Sequence, residues 1–212
     1  MTTQEELLDR LDESRERLLV SLEALPDEAL VTPGVIGRWS IADLLSILTA
    51  WDAEVVTGLM RMEQGKRPER LLAAVDNPSA YNAERFQDAQ GRDLDTVFED
   101  FQGSRLHLED WIGNLSDRAL TDPRHYKPLG GVALGQLIAQ ATYEHEARYL
   151  PFLQSFADRW EPLEPTGQDL IEPATIGILN PDHLSDEAYG NGDAPWEYEN
   201  DDDDDDDEID FA

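Results

Sequence analysis

The sequence predicts an all-α fold, a four-helix bundle with a long, helix-containing crossover, followed by an acidic extension that ends in a largely disordered tail. Three observations carry this expectation. Apolar residues recur at three- and four-residue spacing through four long segments. No segment alternates apolar and polar residues between turn signals. The connections that follow the first and third segments repeat each other.

The first helix is predicted over about residues 3–24. Thr3-Gln4-Glu5-Glu6 reads as a capping box, with a hydroxyl at the N-cap and a carboxylate three residues on. Leu7, Leu8, Leu11, Leu18, Leu22 and Leu25 then hold one apolar face. Ser40-Ile41-Ala42-Asp43 is a second box, followed by Ile41, Leu44, Leu45, Leu48, Trp51, Val55 and Leu59, with Gly65 as the stop. In the crossover, Asn77-Pro78 places a cap before a proline at the first helical position and opens a helix through about Gln90, closed by Gly91.

The third long helix, about 94–115, carries Leu94, Val97, Phe98, Phe101, Leu108, Trp111, Ile112 and Leu115. Gly103 weakens its middle by about 1 kcal/mol relative to alanine. The fourth is expected from Val132 to about Asp158, kinked or ended at Pro151. Within it Ala141, His145 and Tyr149 share a face, and Leu134, Ile138, Phe152 and Phe156 lie close to that face, which makes it the buried side.

The internal echo is specific. Leu25, Asp27, Ala29, Leu30 and Pro33 match Leu115, Asp117, Ala119, Leu120 and Pro123 at an offset of 90. Two helix pairs related by pseudo-symmetry bury their stripes against each other as a bundle.

Charge divides the chain. Of the 47 acidic residues, 19 lie in Trp160–Ala212, which holds no Lys or Arg, so residues 1–159 carry a net charge of −12 out of −31. The bundle is therefore read as residues 1–159 and the Pro/Gly-containing acidic extension as 160–212. Asp201–Asp207 repel one another and bury nothing, and one apolar island, Leu170–Leu179, interrupts the extension. With no basic patch, nucleic acid is excluded as a partner. There is no cysteine, no apolar run of membrane length, and no signal-peptide pattern in MTTQEELLDR, so a cytoplasmic location is expected.

RWSIADLLSILTAWDAEV (38–55), AYNAERF (80–86) and TYEHEARYLPFL (142–153) resemble the DinB-like bundle family, including its ClbS/DfsB-type branch, over about residues 3–157. In metal-binding members three histidines converge on a divalent ion. The resemblance carries those positions to Ile47, His145 and Tyr149, so one ligand of three survives. An alkyl side chain cannot ligate and a neutral phenol is a poor ligand, so no metal and no other cofactor is expected. Glu144 and Glu146 point about 100° away from His145 around the helix.

His145 has two readings. In one it is a buried imidazole donating to a carboxylate or carbonyl. In the other, His145 and Tyr149 are a base and a hydroxyl facing an interhelical cavity lined by Ile47 and Trp51. The second reading implies a metal-free bundle that binds a small molecule, and the ClbS-like branch implies a protective hydrolase, with no evident nucleophile. The rival expectation is a non-enzymatic interaction or scaffold protein whose acidic tail engages a basic partner. A homodimer is compatible with either.

Overall fold

A computed structural model describes residues 3–161. The acidic extension beyond it, with the Leu170–Leu179 island and the aspartate run, lies outside the described residues. Within them the chain is helical, apart from one isolated antiparallel bridge between Ile36 and Trp39.

Helix α1 (Gln4–Leu22) opens on the expected capping box: Thr3 Oγ1 accepts from the Glu6 amide and the Glu6 carboxylate accepts from the Thr3 amide. A short α2 (Asp27–Val31) turns the chain. Helix α3 (Ile41–Glu63) opens on the Ser40/Asp43 box. It closes as a Schellman motif, in which the Lys66 amide donates to the Arg61 carbonyl and the Gly65 amide to the Met62 carbonyl, with Gly65 at φ 70°.

The crossover holds two helices where the sequence predicts one, α4 (Glu69–Asp76) and α5 (Pro78–Ala89). Pro78 disfavours helical backbone at Asn77, which sits at φ −133°, ψ 73°, ends α4 and caps α5 through its side chain. Helix α6 (Leu94–Gly113) runs unbroken through Gly103, and α7 (Asp117–Thr121) follows it.

The expected fourth long helix is three pieces: α8 (Leu134–Ala141), α9 (Tyr143–Glu146) and α10 (Leu150–Ala157). The first break is at Thr142, at φ −120°, ψ −106°, whose hydroxyl donates back to the Ile138 carbonyl. The second precedes Pro151, whose missing amide and ring exclude a regular bond to Ala147. The breaks shift the register, so Leu153 and Phe156 point inward while Phe152, expected on the buried side, is 49% exposed.

The pseudo-symmetry extends through the fold. Helices α2 and α7 begin 90 residues apart, as do the N-caps Thr3 and Asp93. In α3 and α8, Leu44, Leu45 and Leu48 correspond to Leu137, Ile138 and Ala141 at an offset of 93. Past the extra residue at Thr142 the offset is 94, which matches buried Trp51, Asp52 and Val55 with buried His145, Glu146 and Tyr149.

The core is two apolar clusters. One contains Leu7, Leu11, Ile47, Trp51, Val55, Leu108 and Ala141, and the other Leu18, Leu44, Leu45, Leu48, Phe101, Tyr149 and Leu153. On each long helix the chain passes from one cluster to the other, and polar side chains occupy the level between them.

Candidate functional site

Four charged residues, one from each helix of the bundle, fill that level. Arg15 (α1), Asp52 (α3), Arg105 (α6) and Glu146 (α9) are buried, with Arg105 3% and Asp52 1% exposed. Arg15 Nη2 donates to Asp52 Oδ2 and to Glu146 Oε1, each at 2.9 Å. Arg105 donates to Asp52 through Nε at 3.1 Å and Nη2 at 3.3 Å, and also to Glu146. Ser14 Oγ donates to the other Glu146 oxygen at 2.7 Å.

The symmetry of the fold reappears in these bonds. Arg15 and Arg105 lie 90 residues apart; Arg15 Nη1 donates to the Phe101 carbonyl, and Arg105 Nη1 to the Leu11 carbonyl, again 90 residues apart. The quartet is neutral in sum, as burial of charge requires. Burial opposes ionisation of Glu146, yet Arg105, Arg15 and the Ser14 hydroxyl outweigh it and hold its carboxyl below the usual range. Burial and repulsion from Arg105 lower the pKa of Arg15, whereas Asp52 and Glu146 overcome burial and raise that of Arg105.

Next to the quartet lies the position singled out in the sequence. Trp51, His145 and Tyr149 are buried together, with the Trp51 and His145 ring centroids 4.4 Å apart, and Ile47 is fully buried in the same cluster as Trp51. A hydrogen-bonded chain joins them. Trp51 Nε1 donates to Asn82 Oδ1 at 2.8 Å, Asn82 Nδ2 donates to the Tyr149 hydroxyl at 2.7 Å, and that hydroxyl lies 3.0 Å from His145 Nε2.

The direction of this chain follows from its first member. An indole nitrogen only donates, so Asn82 must present its oxygen to Trp51 and its amide nitrogen to Tyr149. With Asn82 donating to it, the hydroxyl has its proton free for His145 Nε2, and in that arrangement Nε2 accepts and the neutral imidazole carries its proton at Nδ1. That Nδ1 is buried and has no partner. Burial, with a contribution from Arg148, lowers the His145 pKa to about 4, so the ring is neutral near pH 7. Burial also raises the Tyr149 pKa.

The three positions that the resemblance assigns to a metal triad, Ile47, His145 and Tyr149, do not fit an ion. Ile47 offers no lone pair, Tyr149 is a neutral phenol, and His145 Nε2 is already engaged with the Tyr149 hydroxyl. Among the described residues no cluster of three His, Asp or Glu side chains could hold an ion. Glu144 is exposed. Glu146 does turn away from His145, but into the quartet rather than to solvent.

Four cavities of about 350–680 Å³ among the described residues lie elsewhere, and none of these four is lined by Ile47, Trp51, His145 or Tyr149. Among the described residues no helix is long and apolar enough to cross a membrane.

Sequence reasoning missed Arg15, Asp52 and Arg105, whereas Asn82 stands in the AYNAERF stretch of the resemblance, where it reads either as fixing a turn or as touching a ligand. The signal was present for the arginines: each stands four residues after a core residue (Leu11, Phe101) and three before another (Leu18, Leu108), so each falls on an apolar stripe.

A solved structure of an uncharacterised protein from Escherichia coli UTI89 superposes with a TM-score of 0.58 at 20% identity, covering 74% of this chain and 94% of that one. That likeness is one of fold. No curated protein matches the sequence. The family model of the DinB superfamily matches residues 10–150, two thirds of the chain, and the fold agrees with it. The chain belongs to the DinB superfamily.

Proposed function

We propose that this protein is a non-catalytic interaction protein, in which the bundle is a rigid scaffold and the acidic extension engages a basic partner. The observation that supports the reading is the Trp51–Asn82–Tyr149–His145 hydrogen-bonded chain, which fills the position that the resemblance assigns to a metal. Rigidity follows from a polar level that ties all four helices together through directional bonds. The choice of partner rests on charge: 19 acids and no bases in the last 53 residues attract cations over a Debye length.

Small-molecule binding at His145, with or without ClbS-like hydrolysis, has less support. Tyr149 donates into the chain and is harder to ionise than a free phenol, which is the opposite of an activated nucleophile.

The test is binding of a fluorescent twelve-residue oligolysine to the full chain and to a variant with Asp201–Asp207 replaced by asparagine. Affinity at low salt is expected to fall about tenfold or more with an unchanged melting temperature, because the change removes seven negative charges and keeps side chains of the same size. Equal affinity for both proteins would refute the tail as the binding element.

A further inference from the structure

We propose that a second surface, the groove between α1, α2 and α6, docks a cationic amphipathic helix of a partner protein. The groove encloses about 680 Å³ and does not depend on the acidic extension. Its floor is apolar: Leu19, Val20, Leu22, Leu30 and Phe98. Val20 is 61% exposed, the one apolar residue among the charged exposed positions of α1, and it adjoins the apolar groove rather than standing alone.

The rim identifies the occupant. Asp12, Glu16 and Glu23 line it from α1, and the one base in the lining, Arg15, has its guanidinium committed to Asp52, Glu146 and the Phe101 carbonyl. From Asp12 to Glu23 the rim runs about 16 Å, three helical turns, which holds anchors at i, i+4 and i+7, a span of about 10.5 Å, together with the residues that flank them on a docked helix. Lysines or arginines flanking those anchors would meet the rim carboxylates.

A neighbouring carboxyl reports the same field. Glu109, on α6, has its pKa raised first by burial and then by the charge of Asp12, against the pull of Arg105 and Arg15, so it and Asp12 place two carboxylates close together on this flank of α1/α6. A second copy of this chain, at −31, brings the wrong charge, and so does an anionic membrane.

Three sixteen-residue peptides test this against the full chain by fluorescence anisotropy. One is a leucine/lysine amphipathic helix, one is its scramble of identical composition, and one is the amphipathic pattern with glutamine for lysine. The acidic extension attracts both lysine peptides alike, so the ratio of their affinities isolates the groove. The helix is expected to bind about tenfold more tightly than the scramble, and Val20→Asp or the double change Glu16→Lys/Glu23→Lys should each abolish most of that preference. All of these side chains are exposed, so the melting temperature should not move. Equal affinity for helix and scramble, or a preference untouched by both variants, would overturn the proposal. Equally tight binding of the glutamine peptide would overturn its cationic part. Loss of oligolysine binding in the asparagine variant would leave this ratio unaffected, so the two readings fail separately.

Discussion

Replacing Arg105 by methionine is expected to destabilise the bundle by about 3–5 kcal/mol, read from the midpoint of urea unfolding. Methionine fills much of the volume, so the loss is chiefly electrostatic. Asp52 would lose two bonds and keep only Arg15, and Glu146 would keep Arg15 and Ser14. Two carboxylates facing one guanidinium leave a net buried charge that the interior cannot solvate. Replacing all four members together by apolar residues of similar volume should be near neutral or stabilising, because the desolvation cost disappears with the attraction. A loss below about 1 kcal/mol for Arg105→Met alone would mean that the level between the two apolar clusters is wet and tolerant of charge.

Acidification should weaken the fold through His145. The unfolded chain takes up this proton near pH 6.5, the folded chain only near pH 4. Between those values the unfolded state binds more protons, so stability is full above about pH 6.5 and is lost as the pH falls toward 4. The loss amounts to about 3 kcal/mol across that window. Glu146, held below its ordinary range, adds a further loss at lower pH, while Glu54 and Glu109, raised by burial, work in the opposite direction. The His145 contribution is separated by comparison with His145→Gln, whose amide oxygen can still accept from Tyr149. The wild-type curve should drop relative to the variant between pH 6.5 and 4, and parallel curves would contradict the assignment.

The fold was legible wherever its determinants are local. Both capping boxes, the Gly65 stop and the paired turns at Asp27 and Asp117 are short patterns whose bonds close within a few residues. Helix α4 was not legible, since eight residues with Leu71 and Ala74 as buried anchors give too few turns for a periodicity to emerge. The Thr142 break was hidden because no Gly or Pro marks it. It shows only as a one-residue change of offset between the two halves.

The site was half legible. His145 and Tyr149, one turn apart, had to share a face, and they do. That Asn82 in the crossover would occupy the space between Trp51 and Tyr149 is a tertiary fact with no local signature. Burial of Glu146 beside His145 depends on arginines 41 and 131 residues away in sequence, which helical spacing around position 145 cannot reveal.

The most direct test of a closed, hydrogen-bonded core at the position that the resemblance assigns to a metal is the protonation state of His145 itself, read by nitrogen-15 NMR of histidine-labelled protein. The structure predicts a ring protonated at Nδ1 with an accepting Nε2, no titration until the pH nears about 4, and no shift on adding zinc or nickel ions at neutral pH. An Nε2-protonated ring, titration near pH 6.5, or a metal-induced shift at His145 would contradict it and show the position to be open to ligands.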